Sequence, residues 1–237
     1  MKIGLFTDTH YCNCETIGGG RNPRLAYERT KEAMEIFKEE GVDICFSLGD
    51  ITDHVEGDTK EDIKGYYEKM LSLIKSYKLP FYSVPGNHDY LMLTRKEIER
   101  ELGLKAPPYV IEKEECIFII LDANYRSDYR CFDEAGVVWT DSNLPPKQVE
   151  FLEKQLEKSK KPVIVLVHEN LDPTVDKNHI IKNAEQIRKI IKESNKVKMV
   201  IQGHYHCGKS SVIDGIPYIT LGAMCEAKEN PYKIIEI

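Results

Sequence analysis

Long apolar runs are missing from this 237-residue chain: no stretch approaches the ~20 residues that a bilayer-spanning helix requires. Met1 to Phe6 runs straight into Asp8 and His10 without the basic-then-apolar pattern of an export leader, so a soluble, cytoplasmic protein with no membrane association is expected. A basic excess is missing too. Lys plus Arg number 33 against 39 Asp plus Glu, a net charge of -6, and the basic residues are scattered. A nucleic-acid binder would usually present a basic face, so nucleic acid is not an expected partner. Disulfide spacing is also absent. The seven cysteines, at 12, 14, 45, 116, 131, 207 and 225, are odd in number and dispersed, which predicts free thiols in a reducing compartment. Linkers, repeats and low-complexity tracts are not found, and 41% hydrophobic residues suffice for a full core, so residues 1–237 read as a single domain.

What the chain does contain is an alternation of short apolar strands with helical segments, an α/β pattern. Strands are expected at Lys2 to Thr7, Val42 to Leu48, Phe81 to Val84, Ile117 to Leu121, Val163 to Val167 and Val197 to Gln202. Between Asp58 and Lys78, the residues Ile63, Tyr67, Met70, Leu71, Ile74 and Tyr77 recur at helical spacing, with Asp58 as the expected cap. Thr94 to Glu97 forms a capping-box pattern, and Asn22-Pro23, Pro145-Pro146 and Asn183 open three further helices. Beyond Ser210 the pattern becomes strand, Asp214-Gly215 turn, strand, and a last run from Tyr232 to Ile237, which predicts a partly antiparallel end.

The polar residues that follow these strands form a set. Asp8, His10, Asp50, Asn87, His88, His168, His204 and His206 all lie just past strand ends and include five of the seven histidines. Loops at the carboxyl edge of an α/β sheet converge, which makes this edge the usual ligand site. A lone histidine there is more often a packing residue. A whole set of oxygen and imidazole donors is costly to bury unpartnered, and a divalent metal removes the cost.

These residues stand as Asp8-Thr9-His10, Gly49-Asp50, Gly86-Asn87-His88-Asp89, His168, and Gly203-His204-Tyr205-His206. In that order they resemble the five blocks of the calcineurin-like metallophosphoesterases. The resemblance implies an α/β/β/α fold in which two mixed sheets form a sandwich flanked by helices. It implies two divalent metal ions, with manganese, iron, zinc and cobalt all compatible with such ligands. Asp8, His10 and His206 would hold the first and Asn87, His168 and His204 the second. Asp50 would bridge them, since two close cations need an anion between them and a carboxylate has two oxygens to offer. A hydroxide shared by the metals would attack phosphorus. His88 would act outside the ligand set, on phosphate or on the leaving oxygen, oriented by Asp53, with Asp89 as a rival partner.

The same resemblance implies a hydrolase for a small-molecule phosphoester: a phosphodiester, or a nucleoside diphosphate conjugate such as ADP-ribose. A phosphomonoesterase and a non-catalytic scaffold are the alternatives. A scaffold would show gaps in the ligand blocks, and none is missing. The long connection from Asp122 to Pro146 reads as a specificity loop over the metal edge, with Tyr125, Arg126, Arg130 and Trp139 as candidate substrate contacts. The adjacent Leu171-Asp172-Pro173 supports the same reading, whereas Glu169 replaces the second histidine of many relatives.

Other features read as structural. Residues Gly203 to Ser210 match a nucleotide-binding loop, G-x-x-x-x-G-K-[ST], but strand-forming residues and Pro217 follow where that loop needs a helix. Gly203 is better explained as room for backbone beside the metals. Cys12, Cys14 and Cys207 read as small buried residues, Gly18 to Arg21 as a loop that could approach phosphate, and His54 and His179 as surface residues.

Overall fold

Strands that alternate between two buried faces set the architecture. In the second sheet, Ile119, Val163, Val165 and Val200 pack outward beneath helices, whereas Phe118, Ile120, Ile164, Leu166 and Ile201 point inward. The inward set meets Ile3, Leu5, Ile44 and Phe46 from the first sheet, and this shared apolar layer joins the two. The computed structural model describes residues 1–226 and 231–237.

The chain runs β1 (Lys2–Phe6), α1 (Pro23–Glu39), β2 (Ile44–Ser47), α2 (Lys60–Ser76), β3 (Phe81–Ser83), α3 (Arg95–Leu102), β4 (Tyr109–Glu112) and β5 (Ile117–Ile120). It continues through α4 (Phe132–Ala135), α5 (Pro146–Lys158), β6 (Val163–Leu166), α6 (Ala184–Ser194), β7 (Val197–Gln202), β8 (Cys207–Ile213), β9 (Ile216–Gly222) and β10 (Lys233–Glu236). The strand orders are β10-β1-β2-β3 and β4-β5-β6-β7-β9-β8. Strands β1, β2 and β3 are mutually parallel, as are β5, β6, β7 and β9; β10, β4 and β8 pair antiparallel at the edges.

Three local expectations change. Asp58 does not cap α2; Thr59 does, in a capping box with Asp62, and Asp58 instead accepts from the Val55 amide and the Tyr66 hydroxyl. Strand β4 is an addition to the sequence expectation, its alternation being only four residues long and blurred by an apolar residue on the outer side: Tyr109 and Ile111 are buried while Val110 and Glu112 are exposed. The connection from Asp122 to Pro146 is not structureless. It carries α4 and bridges Asn124 to Asn143 and Tyr125 to Cys131. The Thr94 capping box opens α3 as expected.

The two sheets are stitched together at their carboxyl ends. The Met224 amide donates to Thr7 O at 3.0 Å, the Cys225 amide to Asp8 O at 3.1 Å, and His168 Nδ1 to Leu48 O at 2.6 Å. Every predicted metal-binding residue lies along this seam. Among the described residues no helix is long and apolar enough to cross a membrane.

Candidate dimetal centre

After β1, β2 and β7 the chain turns sharply to deliver a side chain to the seam. Asp8, His10, Asp50 and His204 all adopt positive φ, at 52°, 45°, 51° and 66°. This region is unfavourable for residues with a Cβ, and strain of this kind concentrates at functional sites. Local contacts hold the turns: Asp8 N donates to Gly49 O, His10 N to Asp50 O and His204 N to Asp8 Oδ2. Asp89, the alternative partner for His88, has another task. Its carboxylate accepts the amides of Asp50, Ile51 and Gly86 at 2.8–3.0 Å and the Tyr67 hydroxyl, so it is committed to the turns. Burial, reinforced by nearby Asp50, pushes Asp89 up to about 6.

Six of the seven predicted ligands bring their donor atoms together, and the seventh, Asn87, lines the same cleft. His10 Nε2 and His206 Nε2 are 3.1 Å apart. Asp8 Oδ1 is 3.3 Å from His206 Nε2 and 3.7 Å from His10 Nε2. Asp50 Oδ2 lies 3.5 Å from His10 Nε2 and 3.3 Å from His168 Nε2, between the two halves of the site. Asp50 Oδ1 accepts the His88 amide at 2.8 Å, so a single oxygen of this carboxylate faces both halves, not two as the sequence reading supposed. The donor atoms of Asp50, His168 and His204 also cluster within 4.8 Å of one another.

A metal-binding role fits two features of these residues. Asp8 Oδ1, Asn87 Oδ1, His168 Nε2 and His204 Nε2 are buried and lack a well-directed hydrogen bond among the described residues. Each such orphan ordinarily costs about 1–3 kcal/mol. In addition, the far nitrogens are already engaged: His168 Nδ1 by Leu48 O, His10 Nδ1 by Asp53 Oδ2 at 3.0 Å, and His206 Nδ1 by Glu226 Oε1 at 2.7 Å. Such partners leave the Nε2 lone pair for a cation.

The electrostatics agree. Asp8, Asp50 and Asp53 are buried together, and despite burial the neighbouring histidines hold all three well below the usual carboxylate range. Burial pushes His10 down, but Asp53, Asp8 and Asp50 outweigh it and raise the imidazole to about 9. His168 is raised well above its ordinary value against the same opposition, chiefly by Asp50, so a proton sits where a cation could. Burial, with His168 alongside, drives His204 well below its ordinary value and keeps it neutral.

His88 lies at the mouth, its Nδ1 3.1 Å from Asp53 Oδ1. Asp53 serves more than this one histidine, because its Oδ2 also takes His10 Nδ1 and, at 2.7 Å, Arg21 Nη1. Arg21, read only as part of a glycine loop, thus stands inside the site. Its segment is held by the Ile17 and Arg21 bridge and by Arg21 Nε donating to Gly18 O at 3.0 Å.

An open cleft of about 350 Å³ lies over these groups, lined among others by Gly18, Arg21, His88, Trp139, His179 and Tyr205. Of the four expected substrate contacts only Trp139 reaches it. Arg126 Nε instead donates to Gly136 O at 3.0 Å, Arg130 pairs with Asp128 on the exposed surface, and Tyr125 lies beneath the Arg95 guanidinium, 5.1 Å from its ring centre. Arg126 and Arg130 thus pair within their own loop, and Tyr125 is covered from α3. His179 is not a plain surface residue: its ring centre is 5.2 Å from Trp139 and 5.1 Å from His204. His54 is half-buried, its Nδ1 3.5 Å from Asp53 Oδ1. Cys12 is buried, but Cys14 is half-buried and Cys207 is exposed on the cleft. Glu169 is fully buried, neither carboxyl oxygen has a hydrogen bond among the described residues, and burial pushes it up to about 8. Asp172, in the segment after it, caps Thr174 and accepts from Ser211, so it supports the loop.

Gly203 has the close approach expected of it. A Cβ there would press on Thr7 Oγ1 and come within 3.0 Å of Asp8 Oδ2 and 3.2 Å of His168 Nδ1. Gly203→Ala should therefore lower stability by about 1–3 kcal/mol, as overpacking does, and reduce metal retention. Thermal melting and metal content read both, and wild-type values for both would contradict this packing argument. The nucleotide-binding-loop match fails on geometry, since strand β8 begins inside it at Cys207.

The calcineurin-like phosphoesterase family model matches residues 1–208. A 3',5'-cyclic adenosine monophosphate phosphodiesterase of Haemophilus influenzae, CpdA, is 22% identical over 95% of this chain and 77% of its own length. A probable cyclic nucleotide phosphodiesterase of Coxiella burnetii is 26% identical over 87% of this chain and 76% of its own. The crystal structure of a dimetal phosphatase from Danio rerio superposes with a TM-score of 0.81 at 17% identity, covering 98% of this chain and 91% of that one. The two-sheet fold is shared with that structure, the ordered ligand blocks with the family, and the chain accordingly belongs to the calcineurin-like phosphoesterases, as a metal-dependent phosphoester hydrolase.

Proposed function

We propose that the chain hydrolyses a nucleotide substrate, either the phosphodiester of a cyclic nucleotide or the diphosphate link of a nucleoside diphosphate conjugate, at a two-metal centre. The observation that carries this reading is the convergence of unpartnered, buried donor atoms beneath a cleft with an aromatic wall. Asp8, His10 and His206 would hold one cation, Asn87, His168 and His204 the other, with Asp50 between them. When bound, two divalent cations supply positive charge against the phosphoryl oxygens and lower the pKa of water.

The chain's own residues do the rest. Asp53 Oδ1, 3.1 Å from His88 Nδ1, favours a proton on that nitrogen by its charge, and His88 lines the cleft. Burial and the neighbouring His10 push His88 down, so without substrate the imidazole is neutral. A bound phosphate is an anion that favours the protonated form, and the Nε2 proton then passes to the leaving oxygen as the P–O bond breaks. Arg21 Nη1, 3.5 Å from His88 Nε2, adds a fixed positive charge beside this route.

Substrate choice comes from the wall. Trp139 is 40% exposed, and its indole, inclined at 50° to the neighbouring His179 ring, offers an aromatic face on which a base can stack. The names of the relatives favour cyclic nucleotides among the possible diesters. The seven free cysteines favour a cytoplasmic setting, where thiols stay reduced.

The test is a panel of 3',5'-cyclic nucleotides, nucleoside diphosphate conjugates and phosphomonoesters offered to the manganese-loaded protein. Turnover confined to phosphomonoesters would overturn the diester reading. Base stacking is worth about 1–3 kcal/mol, so Trp139→Ala should cut kcat/KM for the preferred nucleotide roughly ten- to hundredfold, mainly through KM. Turnover of bis-nitrophenyl phosphate should scarcely change, and Arg126→Ala and Arg130→Ala serve as silent controls. Equal losses on both substrates would remove Trp139 from recognition.

A further inference from the structure

Past β9 the chain returns to the seam through Ala223, Met224 and Cys225, a segment outside all five ligand blocks. Cys225 is fully buried. Its Sγ and the imidazole nitrogens of His10 and His206 lie within 4.8 Å of one another. The backbone has little freedom there: the Cys225 amide donates to Asp8 O at 3.1 Å, its carbonyl accepts from Asn22 N at 2.7 Å, and the preceding Met224 amide is bound to Thr7 O. The next residue, Glu226, is the partner of His206 Nδ1. The segment therefore places one side chain behind a ligand and the sulfur beside the same ligand's donor atom. Asp8 Oδ1, fully buried and without a hydrogen bond among the described residues, lies 3.3 Å from His206 Nε2 at the same point.

From this placement we infer that Cys225 is a thiolate ligand of the metal position formed by Asp8, His10 and His206. The inference rests on the two-metal reading and adds a sulfur donor to one of its positions. On binding, the S–H bond breaks, the proton leaves to solvent, and a sulfur lone pair makes the metal–sulfur bond. A thiolate is a soft ligand, so this position prefers zinc or iron to manganese, while the other, with only nitrogen and oxygen donors, does not share that bias. No other cysteine has this placement among the described residues: Cys12 and Cys14 face each other at 3.0 Å, and Cys207 is exposed on the cleft.

Cobalt(II) substitution tests the assignment. The wild-type protein should take up two cobalt ions and show a thiolate-to-cobalt charge-transfer band in the near ultraviolet. Cys225→Ser should lose the band, whereas Cys12→Ser and Cys207→Ser should keep it. In the zinc-loaded wild type, X-ray absorption should show a sulfur neighbour at about 2.3 Å, a measurement that does not depend on how the variant folds. Cys225→Ser should also lower zinc affinity at one position by at least about tenfold while sparing manganese at the other. Two bound cobalt ions with no charge-transfer band, or a band that survives in Cys225→Ser, would overturn the ligand assignment alone. A protein that retains no cobalt would overturn the two-metal reading together with it.

Discussion

Exchanging Asp50 for asparagine should empty both metal positions together and abolish hydrolysis. Asp50 Oδ2 is 3.5 Å from His10 Nε2 and 3.3 Å from His168 Nε2, so it approaches both halves closely, whereas Asp8 Oδ1 is 3.3 Å from His206 Nε2 but 4.0 Å from His168 Nε2. Two cations about 3.5–4 Å apart repel each other, and a neutral amide in this place leaves that repulsion uncompensated. The substitution is conservative in shape, and Oδ1 can go on accepting the His88 amide, so the turn itself should persist. Metal content after dialysis, measured beside the far-ultraviolet spectrum, separates loss of metal from loss of fold. His10→Ala or His206→Ala should deplete one position in preference to the other. Equal depletion of both in those variants, or a fully active metal-free protein, would refute the assignment of ligands.

The second large effect concerns His88. It stands beside Asn87 on the loop after β3, yet its Nδ1 points to Asp53 and it lines the cleft. His88→Ala should therefore retain both metals and lose turnover by the roughly 10²–10⁴-fold typical of a positioned proton donor. The deficit should shrink for a nitrophenolate leaving group, which departs without protonation. Failure of this variant to bind metal would make His88 a ligand instead, an arrangement its proximity to His10 and Asp50 permits. Asp53→Asn should not be merely a weaker copy of His88→Ala. Its Oδ2 also orients His10 and pairs with Arg21, so the change should disturb metal retention as well as proton transfer.

Legibility differed by the range of the interactions involved. The ligand blocks were visible because each is a local event, a strand end followed at once by a polar turn, and the sheet converts that periodic spacing into convergence at one edge. Strand and helix identities followed for the same reason, from apolar period and capping residues such as Thr94 and Glu97. Asp53 as the partner of His88 lay close to its block and could be anticipated from the family pattern. Arg21, Glu226 and Cys225 could not. Each meets a site residue far away in sequence, Glu226 reaching His206, Arg21 reaching Asp53 and Cys225 lying beside His10 and His206, and no local pattern marks a side chain for such a contact. The 122–146 connection shows the converse error. Its arginines and Tyr125 looked available by composition, but Gly136 O takes Arg126, Asp128 pairs with Arg130 and Arg95 of α3 covers Tyr125, so of the four Trp139 is left to meet His179 from a different segment. Short-range sterics and periodicity thus fixed which residues gather at the seam. Which of the remaining groups reach the cleft depended on how separate loops fold over one another, a matter of long-range packing that leaves no mark in any single stretch of chain.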